Sequence, residues 1–327
     1  MRLFLTGATG FVGLNLLLEA LRSGRYGEIV AAVRDPGKLQ KALEAEGVSI
    51  EPGALRVIGW DETPPGEIDH AVHCAGVLFA RDRESYFRVN VEDTLRLMGG
   101  LPPAARILVL SSQSAGGPTP VGRQVRGMGD PDAPMTWYGE SKLAMERALE
   151  AAQPGAWIWR PPMILGPRDR ATLPLFQMAA GPLRLKPGLA PKTYSWIAVS
   201  DLVASILAAL DTPDWSPGSP MAVCNPTPIT DLDLIEGAAR AIGRKGRNLH
   251  LPHALLKAVS LAVDAVPALR AAAPSLTRDR VKEIFPDRWV VDHAPFTARF
   301  GARSYASLDE TLAETYAWYM RAGLLPA

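Results

Sequence analysis

The sequence predicts an α/β fold with a doubly wound parallel sheet and a smaller, mostly helical C-terminal lobe. In its first half, short β-rich runs alternate with longer helical patterns, as in a sheet with helices on both faces. Most of the short runs are continuously apolar, which is typical of parallel strands buried on both sides. The predicted strands are Leu3–Leu5, Ile29–Val33, Leu55–Ile58, Ala71–Cys74, Ile107–Leu110 and Trp157–Trp159.

Helical patterns separate these strands near residues 11–23, 36–46, 82–99 and 136–152. The first of them ends at Ser23-Gly24, because a glycine just past the last turn is a common helix stop. The second half is less regular, and its proline-rich start predicts loops. There we expect a helix near 171–180, a strand over Tyr194–Val199, a helix near 200–211, a strand over Met221–Asn225, and helices from 227 onward.

This organisation predicts two domains, which is reasonable for 327 residues. The first is a nucleotide-binding domain and the second binds the substrate. The predicted first domain covers residues 1–165, with 193–225 returning to it, and the predicted substrate-binding lobe covers 166–192 and 226–327.

Composition excludes several classes of function. The 35 Lys and Arg residues nearly balance the 34 Asp and Glu residues, so no long-range field favours nucleic acid as a partner. Cys74 and Cys224 are too few for a metal cage, so no metal is expected, and their distance in sequence favours a reducing, cytoplasmic location. Because Met1-Arg2 leads directly into an apolar strand, we expect no secretory signal.

The longest apolar stretch runs from Ala254 to Leu269. Lys257 and Asp264 interrupt it, and it is too short to span a bilayer. Three interpretations remain for it, namely an internal helix, a dimer contact, or association with a membrane surface.

A glycine-rich turn follows the first predicted strand and opens the first helix. Gly7 permits a tight turn, Gly10 allows the backbone to approach a pyrophosphate, and Gly13 allows helix and strand to pack closely. The helix N-terminus then presents free N–H groups to the phosphates. This indicates a Rossmann dinucleotide site, with an ordinary glycine turn as the alternative. Its predicted residues are Gly7, Thr9, Gly10, Phe11, Val12 and Gly13.

The residue at the end of the second strand predicts which dinucleotide binds. An acidic side chain there favours NAD, whereas an arginine pairs with the 2′-phosphate of NADP. Arg34 occupies this position and Lys38 follows, so NADP(H) is preferred and NAD(H) remains an alternative. Asp35 would weaken that preference, and a solvated basic helix start is the simpler interpretation of the two cations.

Tyr138 and Lys142 form the predicted proton-transfer pair. Their spacing of four residues places them on one face of a helix. A free tyrosine has a pKa near ~10, and a neighbouring ammonium favours its phenolate form, which suits acid–base work at neutral pH. Upstream, an apolar strand ends in Ser111-Ser112 at the sheet edge where such folds bind ligands. Ser112 is predicted to stabilise charge on the substrate oxygen, with Ser111 as the competing assignment.

Taken together, these motifs resemble the short-chain dehydrogenase/reductase superfamily, in its extended, epimerase-like branch. The resemblance runs over about residues 1–323 and implies a catalytic group of Ser112, Tyr138, Lys142 and Asn90. Asn90 is implied to hold a water near the lysine or to shape its own helix, and Asp93 stands where a glycine is common. The resemblance also implies cofactor contacts at Asp61, Cys74, Ala75, Gly76, Tyr138, Lys142, Pro161 and Met163.

Within that branch, several features favour a reductase. Gln113 and Ser114 follow Ser112 where dehydratases carry an acidic pair, and Arg34 argues against epimerases that hold NAD. The chain is therefore similar to reductases of the dihydroflavonol and 3β-hydroxysteroid type, whose substrates are bulky and largely apolar. The predicted substrate contacts are Gln113, Ser114, Met163 and Trp196, and an apolar pocket is expected from Leu173, Phe176, Met178 and the Leu255–Val263 stripe, with simple core packing as the alternative.

Three other expectations remain open. A sugar-nucleotide epimerase is the main alternative, since Arg168 and Arg170 could meet a diphosphate. A protein that senses NADP(H) without turnover is a second alternative, although such proteins typically lack the Tyr/Lys pair. Many relatives dimerise through the helices that correspond to 82–99 and 136–152, so a homodimer is expected, alongside a small-molecule substrate.

Overall fold

The computed structural model describes residues 1–218 and 220–325. Position 219 and residues 326–327, which the predicted domain boundaries included, lie outside the described residues. The main sheet of the described residues is formed by β1 (Arg2–Thr6), β2 (Glu28–Val33), β3 (Leu55–Gly59), β4 (His70–His73), β5 (Arg106–Leu110), β6 (Trp157–Arg160) and β11 (Met221–Ala222). These seven strands have the order β11-β6-β5-β4-β1-β2-β3. Neighbouring strands from β3 to β6 all run parallel.

Helices connect these strands as the sequence predicts. The long predicted helix over 82–99 is divided, because a π-helical turn, Arg88–Glu92, interrupts it. Such turns are often found at functional sites. The helices are α1 (Phe11–Arg22), α2 (Pro36–Ala45), α3 (Arg83–Phe87), α4 (Asp93–Gly99), α5 (Gln113–Gly116), α6 (Trp137–Ala152) and α8 (Val199–Leu210).

The chain divides into two compact units whose boundaries differ from the predicted ones. The first unit comprises 1–111, 141–160 and 202–221, and the second comprises 112–140, 161–201 and 222–327. Residues 112–140 therefore pack with the second unit, although they were expected in the nucleotide domain. Sequence patterns could not reveal this, because a loop's packing partner does not depend on its own periodicity.

Apolar side chains from both faces of the sheet form the core of the first unit. Phe4, Val30, Ala71 and Val109 are fully buried, which explains why these strands read as continuous apolar runs. Leu97 and Met98 of α4, and Met145 and Leu149 of α6, pack against the sheet from its helices. The fold class predicted from these runs, a Rossmann-type parallel sheet with flanking helices, is confirmed.

The second unit contains short strands, most of which the sequence did not reveal. Residues after 227 were expected to be helical, and the segment before 191 was expected to be loop with one helix. Both expectations were incomplete, because these strands are only two to five residues long and lack a clear alternating pattern. They are β7 (Met163–Leu165), β8 (Leu183–Pro187), β9 (Thr193–Tyr194), β10 (Trp196–Ala198), β12 (Ile229–Thr230), β13 (Arg247–Leu251) and β14 (Arg288–Trp289).

These strands pair in three small sheets, with orders β10-β7, β12-β9-β14 and β13-β8. The predicted strand over Tyr194–Val199 is two strands, β9 and β10, in different sheets. Helices of this unit bury a separate cluster that includes Phe176, Trp196, Leu312 and Tyr319. They are α7 (Leu173–Ala179), α9 (Asp231–Ile242), α10 (His253–Ala265), α11 (Pro267–Ala272), α12 (Ala294–Phe300) and α13 (Leu308–Arg321), with 3-10 turns at Pro274–Leu276 and Arg280–Ile284.

Within the described residues, every helix is too short or too polar to traverse a lipid bilayer.

A buried histidine links the glycine turn to the interrupted helix in the first unit. His73 Nδ1 is hydrogen-bonded to Thr6 Oγ1, and His73 Nε2 is hydrogen-bonded to Thr94 Oγ1, both at 2.9 Å. The Thr94 hydroxyl also donates to the Asn90 carbonyl, at 2.9 Å. Burial, assisted by the Lys142 charge, lowers the pKa of His73 to about 3. His73 is therefore neutral in the folded protein.

We expect the first unit to lose stability in mild acid because of His73. The unfolded chain binds a proton near the ordinary pKa of 6.5, whereas the folded chain resists it down to about 3. Stability contributed by neutral His73 is thus present above pH 6.5 and is lost as the pH falls toward 3. Urea unfolding at pH 7 and pH 5 should differ by about 2 kcal/mol from this residue. In His73→Asn that component of the pH dependence should vanish, and an unchanged slope would contradict the assignment.

Candidate active site

The glycine turn between β1 and α1 has the close packing that a dinucleotide site needs. Gly7 has a φ of +76°, and a Cβ there would lie 2.7 Å from the Ala75 nitrogen. A Cβ on Gly13 would lie 2.1 Å from the Gly7 carbonyl oxygen. α1 begins after Gly10, and no described side chain caps it, so first-turn N–H groups stay available to phosphate oxygens. Thr9, Phe11 and Val12 are half-buried around the turn.

The segment that follows β4 packs closely against this glycine turn. Cys74 and Ala75 contact Gly7 through their backbones, and the Ala75 N–H donates to Thr6 Oγ1 at 3.3 Å. Burial raises the pKa of the Cys74 thiol to about 12, so it remains protonated and fits a wall residue better than a nucleophile. Small residues are required along this edge because backbone atoms already fill the space.

Arg34 lies at the end of β2, as predicted from the sequence, and a carboxylate is paired with its positive charge. Its guanidinium donates to Asp93 Oδ2 at 3.0 Å and stacks over the Trp60 ring, 4.6 Å from the centroid. Asp35 caps α2 by accepting from the Lys38 N–H, so that carboxylate has a structural role. The Arg34 and Lys38 side chains are exposed, which leaves both able to contact an anionic ligand.

Asp61 follows β3 and is open to solvent, with a side chain 96% exposed. Its Oδ1 lies 3.6 Å from Arg96, which also contacts Asp93 and donates to the Trp60 carbonyl oxygen. Arg96 was not singled out from the sequence, since a helical arginine is usually a solvated surface group. It joins Arg34, Trp60 and Asp93 in one charged cluster at the carboxyl ends of the strands.

Lys142 is the most constrained cation of the predicted site. It is 4% exposed, and its Nζ donates to the Leu110 carbonyl oxygen at 2.9 Å. Burial lowers the pKa of Lys142 to about 8, although Glu146 opposes the shift. A Cβ on Gly76 would lie 3.2 Å from Lys142 Nζ and 3.2 Å from Asn90 Oδ1. Gly76 is thus the residue that leaves room beside the ammonium.

Asn90 is fully buried in the π-helical turn, and protein groups occupy its amide. Its Oδ1 accepts from the Val77 N–H at 2.8 Å, and its Nδ2 donates to Ser141 Oγ at 2.9 Å. The residue therefore joins the segment after β4 to helix α6. These contacts favour the shaping role over a water relay.

The two hydroxyl-bearing residues predicted to be catalytic, Ser112 and Tyr138, lie on turns of the second unit that pack against each other. Ser112 Oγ accepts from the Ser114 N–H at 3.1 Å and caps the short helix α5. A Cβ on Gly139 would lie 2.4 Å from the Ser114 carbonyl oxygen, so the first turn of α6, which bears Tyr138, packs directly on the Ser112 turn. Ser111 is 5% exposed, and its hydroxyl has no described partner, unlike that of Ser112.

Sequence reasoning missed the residues that hold the start of α6. Thr136 accepts from the Gly139 N–H at 3.2 Å and donates to Glu283 Oε1 at 2.8 Å. Arg280 pairs with Glu283 at 3.0 Å and lies over the Tyr138 ring, 5.1 Å from its centroid. Residues this far apart in sequence have no shared local pattern, so only the folded chain reveals the Arg280 cation beside Tyr138.

The predicted substrate contacts have different environments. Gln113 is 6% exposed, and its Nε2 has no described partner, while its N–H donates to the Pro161 carbonyl oxygen at 3.0 Å. Met163 is half-buried in β7. Trp196 is 2% exposed within the core cluster, and its indole donates to the Thr227 carbonyl oxygen. Core packing accounts for Trp196, so the prediction that it contacts substrate is not supported.

The remaining pocket predictions divide in the same way. Phe176 is fully buried in the core, which again favours packing. In the Leu255–Val263 stripe, Leu256 and Val263 face inward, while Leu255, Val259 and Leu261 are exposed. The exposure of these three side chains does not support a pocket lining for the outward half of the stripe.

A cavity of about 640 Å³ lies within the second unit and was not predicted. Valines, alanines and prolines line much of it, and its polar lining residues include Ser195, Asn225, Asp292 and His293. His293 Nδ1 lies 3.8 Å from the Cys224 sulfur, but burial raises the pKa of that thiol to about 12. The pair is thus unsuited to nucleophilic chemistry. Among the described residues no cluster of His, Cys, Asp or Glu could hold a metal ion.

Comparison with known proteins identifies the family. The sequence model of the NAD dependent epimerase/dehydratase family matches residues 3–223. The chain belongs to this family. It corresponds to the extended branch of the short-chain dehydrogenases/reductases, so the resemblance found in the motifs is confirmed, and the chain is an NAD(P)-dependent enzyme.

One relative is similar to this chain over nearly its whole length. A ceramide reductase from Caulobacter vibrioides (strain NA1000 / CB15N) is 30% identical over 98% of this chain and 95% of its own. Among solved structures, the UDP-glucuronic acid 4-epimerase from Bacillus cereus in complex with NAD has a TM-score of 0.75 at 17% identity, covering 98% and 99% of the two chains. A dTDP-glucose 4,6-dehydratase from Bacillus anthracis str. Ames has a TM-score of 0.69 at 16% identity, covering 98% and 97%. These structural likenesses show the fold alone.

Proposed function

We propose that this enzyme reduces the ketone of a long-chain, ceramide-like lipid to a secondary alcohol with NADPH. The observation that carries the proposal is the packing of the Ser112 turn on the first turn of the helix that bears Tyr138 and Lys142. Similarity to a ceramide reductase over nearly the whole chain supports the substrate class. Ceramides are N-acylated amino alcohols with a secondary hydroxyl, which is the product such a site would make.

The chain's own residues would manage the proton in this reaction. Ser112 would donate a hydrogen bond to the ketone oxygen and so stabilise the negative charge that develops there. Tyr138 would give its phenolic proton to the same oxygen, completing the alcohol, and would then regain a proton from solvent. Lys142, on the same face of α6, would favour the phenolate that forms. Bound NADPH supplies the hydride that reaches the carbonyl carbon.

The glycine cradle and the cations fit that cofactor. Gly7 and Gly13 keep the turn compact, because a Cβ on either would collide with backbone atoms, and the exposed Gly10 is where a pyrophosphate would approach the backbone. Arg34 and Lys38 would face the 2′-phosphate, while Gly76 would leave room for the ribose beside Lys142. Arg34 stacks on Trp60 before any ligand arrives, which reduces the cost of ordering its side chain.

The direct experiment is an assay with a 3-oxoceramide of short acyl chain. We expect NADPH absorbance to fall and ceramide to appear by mass spectrometry, with Tyr138→Phe as the blank. Conversion of UDP-glucuronic acid to an epimer without net cofactor oxidation, in place of ketone reduction, would overturn the proposal in favour of a sugar-nucleotide epimerase.

Cofactor choice gives a separate test on Arg34. Replacing Arg34 with Ala should raise the KM for NADPH about tenfold to a hundredfold, because a charged hydrogen bond to phosphate contributes roughly 1.5–3 kcal/mol. The KM for NADH should change little. Lys41→Ala, which removes an exposed lysine of the following helix α2, is the matched control. If the wild-type enzyme binds NADH more tightly than NADPH, the assignment of Arg34 is wrong.

The pH profile of the reaction should show the loss of the Lys142 proton. Because its pKa is about 8 in the free protein, the ammonium is lost above that pH, and with it the stabilisation of the Tyr138 phenolate. We therefore expect kcat/KM for ketone reduction to decline about tenfold per pH unit above pH 8. Lys142→Arg keeps its charge at every accessible pH and should lack this decline, even at lower overall activity. An identical break in both proteins would contradict the assignment.

A further inference from the structure

The second unit carries an unusual concentration of exposed apolar side chains. Most of the large hydrophobic residues that are exposed in the described chain come from two segments, 183–189 and 249–269. Together they form what we call the apolar surface. Its members are Leu183, Leu185, Leu189, Leu249, Leu255, Val259, Leu261, Val266 and Leu269.

The strand pair β8–β13 has an inverted pattern. Leu183 and Leu185 are 58% and 43% exposed, whereas Arg184 and Lys186 between them are 4% and 0% exposed. In a sheet with one face in water, the leucines would face inward and the cations outward. Here Lys186 is paired internally with Asp231 at 2.9 Å, so the inversion is built into the fold.

Helices α10 and α11 continue this pattern. α10 buries Leu256, Ser260 and Val263 on one face, yet its opposite face is also largely apolar. α11 has no buried residue at all, although its sequence is Pro-Ala-Leu-Arg-Ala-Ala. Exposed apolar helix faces that adjoin one another in this way are normally covered by protein or by lipid.

The two parts of the apolar surface adjoin each other. The Gly188 N–H, next to exposed Leu189, donates to the Leu251 carbonyl oxygen at 2.8 Å. A Cβ on Gly188 would lie 2.7 Å from His253 Nε2, at the first turn of α10. The end of β8 and the start of α10 are thus in contact, so the two segments that carry the exposed leucines adjoin each other.

Charge indicates what covers this region. Residues 244–278 contain six Lys or Arg residues and one acidic residue, Asp264, although the whole chain has a net charge of only +1. Arg244, Lys245 and Arg247 are exposed in the segment that leads into β13, and Lys257 is exposed on α10. Apolar side chains flanked by cations match the interface of an anionic bilayer, where both attractions add.

We propose that the apolar surface docks this enzyme on an anionic phospholipid membrane, with the leucines in the headgroup region and the flanking cations on the lipid phosphates. Docking requires no membrane-spanning helix. It would also bring the enzyme to a substrate that resides in the bilayer, a consequence that rests on the proposed lipid reductase function.

The test is sedimentation of the full-length chain with vesicles, without any substrate. The protein should bind vesicles of phosphatidylglycerol and phosphatidylcholine more tightly than pure phosphatidylcholine, and added salt should weaken binding. Leu261→Glu/Leu269→Glu should reduce partitioning at least about a hundredfold, since each exposed leucine contributes roughly tenfold. Arg244→Gln/Lys245→Gln should reduce it about fivefold per cation, on anionic vesicles only.

Val121→Glu is the matched control, because Val121 is fully exposed in the second unit but outside the apolar surface. It should partition like the wild type. Wild-type protein that stays in the supernatant with both kinds of vesicle would overturn the proposal. So would a wild-type dimer that light scattering shows to dissociate in the double glutamate variant, since a second copy would then be the occupant.

The outcome is separable from that of the reductase proposal. If both proposals hold, the double glutamate variant should turn over a short-chain ketone in solution at the wild-type rate and lose activity on long-chain substrate in vesicles. Vesicle binding without any ketone reduction would overturn the reductase function and leave the docking surface standing. Ketone reduction without vesicle binding would overturn the docking surface and leave the reductase function standing.

Discussion

Tyr138→Phe is expected to reduce the rate of ketone reduction about a thousandfold while leaving NADPH binding nearly unchanged. The substitution removes only the phenolic proton, and a positioned general acid contributes roughly 10²–10⁴ to such a step. The ring should remain in place, because Arg280 lies over its face, which the substitution leaves intact. Single-turnover kinetics with saturating NADPH, together with fluorescence titration of the cofactor, would measure both effects.

Tyr316→Phe provides the matched control for that loss. The Tyr316 ring stacks on Phe176 in the core of the same unit, so removing its hydroxyl should leave turnover within about twofold of the wild type. A Tyr138→Phe enzyme that retains most of its activity would show that another group supplies the proton. A full biological effect in that variant would favour an NADP(H)-sensing protein.

Gly13→Ala should weaken NADPH binding at least about a hundredfold. The new Cβ would lie 2.1 Å from the Gly7 carbonyl oxygen, a backbone atom that cannot move without opening the turn. Overpacking of this kind costs about 3 kcal/mol, which corresponds to roughly a hundredfold in affinity when the distorted backbone is the binding site itself. Isothermal titration of purified protein with NADPH would measure the change.

Gly99→Ala is the control for Gly13→Ala in the same unit. A Cβ at Gly99, which ends helix α4, would meet no atom within 4 Å. Its affinity for NADPH should match that of the wild type. If Gly13→Ala binds NADPH normally and is folded by circular dichroism, the glycine turn is not the phosphate site.

The contact between Arg34 and Asp93 affects how cofactor preference should be judged. Asp93 holds the guanidinium that would pair with a 2′-phosphate, so a phosphate must compete with an internal carboxylate. Arg96 reaches the same carboxylate from the following turn and can retain it when Arg34 turns away. The sequence showed Arg34 and Asp93 separately, but their 59-residue separation concealed the pairing.

The chain's local patterns determined the sheet, the glycine turn and the helix that bears Tyr138 and Lys142. The mostly apolar runs from β1 to β6, and the turn glycines at 7, 10 and 13, are local signals that specify strands and a tight turn within a few residues. The same is true of the four-residue spacing of Tyr138 and Lys142, because a helix converts it directly into a shared face.

Tertiary structure alone decided the surroundings of those residues. Arg280 beside Tyr138, Gly76 beside Lys142 and the division of the chain at Ser111 depend on packing between distant segments. The exposure of the leucines of β8 and α10 was also decided by tertiary packing. The sequence alone does not distinguish an apolar side chain in the core from one on the surface. Local propensity specifies which element forms, whereas long-range packing specifies what each of its faces meets.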